Sequence, residues 1–381
     1  MVQTYRYRLY PTKTQCRTLQ RQLDICRWVY NDALAYRKNA WENEHRQVKH
    51  FETQDRLPQL KVAHRELKEV YSHVLQNVTL RVELAFKSFF RRVKAGDEPG
   101  YPRFKGKNWY DSFTYPESGF KLTGDILHLS KIGNIKVKLH RPINGKITRL
   151  TIRRSATGKW FVSFLTDHNN KVLLPNSEMS VGIDVGISSF AMLSDGTRID
   201  NPRFIKSSEK ALAKVQRKLS KQPKGTLSRL KARKTVAHAH EKIANRRDDF
   251  VQKVSRDLVN SYGVICFENL NIKGMVHNHC LAKSIMDCAW GKLVQYTSCK
   301  AASAGRSVVL VEPNGTSQMC SACGRKVAKD LSVRVHDCPF CGLTIDRDHN
   351  AAINILRLGL QSMADAQMPA NSLAGVVTRK S

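Results

Sequence analysis

Negative charge is what this sequence has least of. Its 381 residues carry 32 Asp and Glu against 64 Lys and Arg, a formal net charge of +32. Such an excess repels itself, so a polyanionic partner is expected, nucleic acid first and an anionic membrane surface second. Long apolar runs are missing as well: no stretch approaches the ~18 residues of a spanning helix. The opening MVQTYRYRLYPT lacks the apolar centre of a secretory leader. A cytoplasmic chain without a membrane partner, nucleoid-associated through nucleic acid, is therefore expected. Internal repeats are also lacking. Apolar material is not scarce: 41% of residues are hydrophobic and 8% aromatic, which excludes disorder throughout and suggests two or three domains.

Six of the ten cysteines, at 16, 26, 266, 280, 288 and 299, are scattered without a pairing signal. The other four form Cys320-x2-Cys323 and Cys338-x2-Cys341. In a chain without an export signal, two such knuckles read as a metal site rather than disulfides. Four thiolates fill a tetrahedral zinc and leave no open position, so the zinc is expected to be structural. His336 is read as a bystander.

Alternation in the first ten residues, with Tyr5, Tyr7 and Leu9 opposite Arg6 and Arg8, predicts a half-buried strand. Thr12-x-x-Gln15 is a capping box. The helix after it carries Cys16, Leu19, Leu23, Cys26, Tyr30 and Leu34 on one face. A second helical region spans about 57–95, with Val78, Val82, Phe86, Phe89 and Val93 as its stripe. Both stripes read as core packing. Beyond residue 100 the period becomes two: Ile135, Val137 and Leu139 alternate with Lys136, Lys138 and His140, and a Thr157-Gly158 turn joins Leu150–Ile152 to Trp160–Phe164. The first strand could rejoin this β unit, whose outward Lys and Arg suit phosphate contacts. In the segment from Gly100 to Tyr110, the residues Tyr101, Arg103, Lys105, Lys107 and Trp109 interleave bases with aromatics. Base stacking with phosphate contacts and simple packing on the β unit fit this loop equally well.

Residues 166–179 read as a linker. Short strands at Ser180–Gly186 and Ser188–Ser194 follow, then a basic helical stretch (206–259) broken near Pro223-Lys-Gly225. A strand (264–268), a helix (281–304), a strand (308–311), the cysteine quartet and a helix (348–358) complete an α/β arrangement, a mixed sheet flanked by helices. Residues 359–381 lose helical periodicity and read as a flexible tail.

Three acids stand out. Asp184 ends an apolar strand between Gly182 and Gly186, where a carboxylate is costly to desolvate without compensation. Glu268 ends another, the position at which open α/β sheets place their sites. Asp348 begins a helix and by itself would read as the N-cap; Asp346, two residues earlier, makes the pair more than capping needs. In so basic a chain, three such carboxylates suit Mg²⁺ or Mn²⁺ chemistry on phosphates. Asp184 would bridge two ions, with Glu268 and Asp348 each completing one shell.

These segments resemble the TnpB family. The resemblance rests on Gly-Ile-Asp184-Val-Gly, Phe-Glu268-Asn-Leu-Asn-Ile-Lys-Gly-Met, Ser317-Gln-Met-Cys320-Ser-Ala-Cys323-Gly, Cys338-Pro-Phe-Cys341-Gly and Asp346-Arg-Asp348-His-Asn-Ala-Ala-Ile-Asn. Tyr10-Pro-Thr, Pro102-Arg-Phe-Lys and Asp287…Trp290-Gly also fit. That family accompanies insertion-sequence transposons and is related to the type V CRISPR effector nucleases. The resemblance implies an RNA-guided DNA endonuclease that uses an RNA from the transposon end and cuts double-stranded target DNA beside a transposon-adjacent motif. It implies a RuvC-like domain of the RNase H fold (175–314 and 345–358) with a zinc-finger insertion (315–344). It also implies a wedge β-barrel (1–11 and 97–168) with an inserted helical recognition domain (12–96). Asp184, Glu268 and Asp348 would be its catalytic triad, with Asp346 second choice for the last place, in a ribonucleoprotein favoured as monomeric. The alternatives are an RNA-guided repressor or transposition regulator that does not cut, and a guide-independent resolvase of the RuvC type.

Overall fold

The strand expected at the start is β1 (Val2–Tyr10), which buries Tyr5, Tyr7 and Leu9 and leaves Arg6 exposed. The computed structural model describes residues 2–107, 109–167, 173–175, 177–330 and 333–367. It divides into two units, residues 1–170 and 171–381.

In the first unit, Pro11 ends β1 and Thr12 starts α1 (Lys13–Glu44) with the expected reciprocal cap. The Gln15 amide donates to Thr12 Oγ1 at 3.2 Å and the Thr12 amide to Gln15 Oε1 at 3.0 Å. The helix ends at His45, whose left-handed backbone turns its N–H onto the Ala40 and Trp41 carbonyls. Next come α2 (His50–Asp55), α3 (Leu57–Ala63), a 3-10 turn (Arg65–Glu69) and α4 (Ser72–Lys94). The second helical region is thus several pieces rather than one rod. Its stripe is buried at Val78, Val82 and Phe86, but Phe89 is only half-buried and Val93 is exposed, because the core ends before the helix does.

Seven antiparallel strands form one sheet, ordered β2-β6-β7-β1-β5-β4-β3. They are β2 (Ser112–Pro116), β3 (Phe120–Thr123), β4 (Ile126–Leu129), β5 (Gly133–Lys138), β6 (Lys146–Arg154) and β7 (Trp160–Asp167), with β1 inserted between β7 and β5. Phe113 and Tyr115 near one edge and Leu127 and Leu129 near the other enter the same hydrophobic core, so the sheet is curled. Tyr115 spans it, its hydroxyl donating to the Ser130 carbonyl at 2.8 Å. The ladder stays open between β2 and β3. Leu23, Val29, Val74 and Val78 of the helices share that core, so helices and strands are one packed body. Leu139, read from alternation as inward, lies one residue past β5 and is exposed.

The second unit opens with β8 (Ser180–Val185), β9 (Ser189–Leu193) and β10 (Arg198–Asp200). The basic helical stretch is a hairpin of α5 (Phe204–Ser220) and α6 (Leu227–Ser261), closed by Arg229, which donates to the Gln222 carbonyl at 2.5 Å. Then follow β11 (Val264–Glu268), α7 (Ile272–Met275), α8 (His279–Cys288), α9 (Trp290–Ala304) and β12 (Ser307–Val311). The single helix expected over 281–304 is two, broken at Ala289 in the left-handed region (φ 56°). That break costs roughly 1 kcal/mol and lets α9 start with Trp290 buried. Last come β13 (Val335–Asp337), β14 (Thr344–Asp346) and α10 (Arg347–Gln367). The final helix therefore runs past residue 358, and residues 359–367 are helical rather than tail; the remainder of the expected tail lies outside the described residues. The expected linker is also narrower, since β7 reaches Asp167, while residues 168–172 and 176 lie outside the described set.

The main sheet here is ordered β10-β9-β8-β11-β12, with β8, β11 and β12 parallel and β8, β9 and β10 antiparallel. Val181, Ile183, Phe267 and Ile265 pack against Val254, Leu258 and Leu293 of α6 and α9. On the other face α10 lies across β8, which Gly182 permits: a Cβ there would collide with the Ala352 carbonyl oxygen. Among the described residues no helix is long and apolar enough to cross a membrane.

Candidate active site and metal centre

Asp184 and Glu268 lie side by side because β8 and β11 run parallel in register. The last paired residues are Ile183 and Phe267, and each acid follows one of them at the carboxyl end of the strands. Asp348 comes from the first turn of α10, the helix that Gly182 admits onto β8. The three are close enough to feel each other. Asp184 is held well above the ordinary carboxylate range, by burial first and then by the negative charges of Glu268 and Asp348, with Arg347 partly opposing. Glu268 is also raised, by burial, against a hydrogen bond from the Thr316 hydroxyl.

Asp346, not Asp348, caps α10. Its Oδ1 accepts the amides of Asp348 and His349 at 2.8 and 3.1 Å, which commits it to the helix start and releases Asp348 from that task. Asp348 Oδ1 instead accepts Nε and Nη2 of Arg347 at 3.1 and 3.0 Å, with Arg334 4.0 Å from its other oxygen. The acid cluster is thus partly neutralised by guanidinium. Among the described residues, the four cysteines bring their ligand atoms all within 4.8 Å of one another. A part-buried carboxylate whose own neighbours oppose its charge is a donor set suited to hard cations.

The four sulfurs fit a tetrahedral ion closely. Cys320 and Cys341 Sγ are 3.6 Å apart, and Cys323 and Cys338 Sγ 3.7 Å. Four sulfurs about 2.3 Å from a zinc would be separated by about 3.8 Å. None of the ten cysteines is in a disulfide. Burial resists ionisation of Cys320, but the amides of Cys323 and Ala322, aided by His336, outweigh it and lower its pKa. His336 is fully buried beside Lys329 and the quartet, supporting the site without belonging to it.

Residues that sequence reasoning passed over join the two clusters. Asn350 accepts the Ser321 amide at 2.9 Å and donates to the Met319 carbonyl at 2.7 Å. Asn354, one turn on, donates to the carbonyls of Met319 (2.7 Å) and Thr316 (2.9 Å). Two fully buried asparagines at i and i+4, poor helix formers both, were the available signal; Thr316 offered none.

The expected nucleic-acid residues all lie in the first unit. Arg6 and Arg8 share the outer face of β1 over the Phe161 ring, 4.1 and 5.2 Å from its centroid. The 100–110 loop is half packed and half free. Asn31 grips Lys105 through both its backbone groups, at 2.8 and 3.0 Å, and Tyr101 sits edge-on to Phe86 and Phe89. Arg103 and Lys107 are exposed, and Trp109 is 82% exposed.

Residues 163–279 match a family model described as a probable transposase, OrfB_IS605, and residues 290–355 match the TNB domain of Cas12f1-like proteins. Residues 1–46 match a model named for a helix-turn-helix domain, although here they form a strand and one uninterrupted helix. A protein of Streptomyces pristinaespiralis, provisionally named as an RNA-guided DNA endonuclease, is 36% identical over 368 residues, 94% of this chain and 90% of that one. InsQ of Escherichia coli K12, named in the same provisional way, is 30% identical over 387 residues, 96% of this chain and 94% of that one. In solved structures, the Cas12f1 chain of a cryo-EM complex with sgRNA and target DNA shares the fold. It superposes with a TM-score of 0.57 at 15% identity, over 90% of this chain and 83% of that one.

Proposed function

The chain belongs to the TnpB family of RNA-guided nucleases, and from that premise we propose that it is a divalent-metal-dependent DNA endonuclease. It would take its guide from RNA of the transposon end and cut double-stranded DNA beside a short transposon-adjacent motif. The observation that carries this reading is the part-buried Asp184 carboxylate held against the charges of Glu268 and Asp348 at the carboxyl end of two parallel strands. On this reading the five-stranded sheet with α10 is the RuvC-like nuclease domain, and the cysteine module is its zinc-finger insertion. The curled sheet and its helices are the wedge and recognition parts.

Asp184 would bridge two Mg²⁺ or Mn²⁺ ions, with Glu268 and Asp348 each holding one. Bound there, such ions supply activation of water and stabilisation of the departing phosphodiester oxygen. The protein's own contribution is positional. Part-burial of Asp184 raises the cost of its charge until a cation offsets it, the Thr316 hydroxyl holds one Glu268 oxygen, and Arg347 pairs with Asp348. Cys320, Cys323, Cys338 and Cys341 would carry a structural zinc. Arg6, Arg8, Arg103 and Lys107 would grip phosphates, and Trp109 and Tyr101 would offer aromatic faces to bases.

The test is plasmid cleavage by the purified ribonucleoprotein carrying a matched guide. Wild type should linearise a target that bears the adjacent motif. Asp184→Ala should lose about a thousandfold in rate, equivalent to about 4 kcal/mol of transition-state stabilisation, with RNA binding retained. An alanine variant that cuts at the wild-type rate would remove Asp184 from the site. Target binding without scission in any divalent metal would instead make the protein an RNA-guided repressor.

A further inference from the structure

Glu268 lies at the carboxyl end of β11, and its hydroxyl partner comes from the stretch leading into the first cysteine knuckle rather than from the sheet. Thr316, 5% exposed, donates its hydroxyl to Glu268 Oε1. Four residues later the chain reaches the buried Cys320. Between them the backbone is pinned to α10: Asn354 takes the carbonyls of Thr316 and Met319, and Asn350 takes the Met319 carbonyl and the Ser321 amide. The same helix carries Asp348. One ladder of hydrogen bonds therefore runs from the first cysteine knuckle through α10 to one proposed ligand, and its last rung is a threonine hydroxyl.

We infer that Thr316 is a positioning residue for Glu268, aiming its second carboxylate oxygen at the proposed ion, and that it carries the folded state of the four-cysteine module to the acid site. The inference rests on the reading of Glu268 as a metal ligand. A glutamate has three rotatable side-chain bonds, and a strand backbone restricts only the first of them. A donor on Oε1 restricts the carboxylate plane, and outer partners of this kind are worth about tenfold to a hundredfold in metal affinity. Because Thr316 is held by its own carbonyl through Asn354, loosening the module releases the hydroxyl together with the loop.

The experiment is Mn²⁺ binding to the zinc-loaded full chain, measured by calorimetry beside plasmid cutting. Wild type, Thr316→Val, Thr316→Ser and Glu268→Gln are compared, with zinc content and melting temperature recorded for each. Thr316→Val should bind Mn²⁺ about tenfold to a hundredfold more weakly and should require correspondingly more Mn²⁺ to cut, with zinc content unchanged. Thr316→Ser, which keeps the donor, should stay near wild type. Cys323→Ser should weaken Mn²⁺ binding in the wild type but add little in Thr316→Val. Wild-type affinity in Thr316→Val would overturn the inference alone. So would serine failing as badly as valine, or additive losses with Cys323→Ser, since each outcome makes Thr316 a packing residue. Absence of any Mn²⁺ binding that Glu268→Gln reduces would overturn the reading of the acid site itself, and this inference with it.

Discussion

Two clusters of proposed metal ligands lie in the same unit, built in opposite ways. The four cysteines are brought together by two short knuckles, and their sulfurs already stand at nearly tetrahedral separations, with backbone amides turned onto Cys320. The three carboxylates come from two strands and a helix and lean on Thr316 and Arg347. A soft site can be assembled from local turns. A hard site at the carboxyl ends of strands depends on how whole elements dock, so its geometry is borrowed from packing tens of residues away. The first should fail by loss of its ligands, the second by small shifts of its scaffold.

Removing a ligand from the tight cluster should give the largest effect. Four-thiolate zinc sites carry about 10–16 kcal/mol of binding free energy that is also folding free energy. Cys338→Ser removes a buried sulfur and should abolish stoichiometric zinc and expose residues 315–344 to protease. The five-stranded core, which has a separate cluster of apolar residues, should still melt cooperatively. Loss of that core together with the zinc would mean the two are one cooperative unit, and the contrast between them would be wrong.

An intermediate effect should come from the scaffold of the loose cluster. Gly182→Ala places a methyl group against the Ala352 carbonyl and the Leu356 backbone nitrogen. Backbone cannot swing aside as a side-chain tip can, so α10 must lift from β8. Overpacking of this kind costs about 1–3 kcal/mol. Cleavage should fall far more than stability does, because Asp348 moves with the helix, while zinc content stays at wild type. Unchanged cutting would show that the docking of α10 does not set the acid geometry.

This contrast also explains how much could be read from sequence. The cysteine spacing, the capping box at Thr12 and Gln15, and the alternation in β1 are local patterns, and each describes what the structure shows nearby. The acids Asp184, Glu268 and Asp348 were legible as strand-end and helix-start carboxylates. The exchange of capping from Asp348 to Asp346 was not, since both positions fit an N-terminus and only the backbone angle between them decides. Thr316 and the Asn350–Asn354 pair were hidden because their partners are carbonyls and a carboxylate distant in the chain. The break at Ala289 was hidden because the apolar pattern of α8 continues into α9 across it. Helical residues 359–367 escaped because Gly359 interrupts the pattern, although a Cβ there would strike the Cys266 sulfur, so glycine is what lets the helix pass β11.

The smallest effect sharpens the comparison through pH. Asp184 has its folded-state pKa raised from 3.8, by burial and then by Glu268 and Asp348. The native state therefore holds that proton at pH values where the unfolded chain has released it. Unfolding free energy changes with pH as the protons bound by the unfolded state minus those bound by the native state, so this group's contribution falls as pH rises. The fall begins above the unfolded value and ends once the folded group has ionised, with a slope of at most about 1.4 kcal/mol per pH unit. In zinc-loaded protein without other divalent ions, wild type should lose stability relative to Asp184→Asn as pH rises above the ordinary carboxylate range. Denaturant titrations of the two proteins over that rise measure it. Added Mn²⁺ should reverse the sign, since a bound cation favours the ionised carboxylate that asparagine cannot offer. Parallel curves in both conditions would mean that Asp184 pays no penalty for its charge, and the acid cluster would then be as settled in its ion-free state as the sulfurs are in theirs.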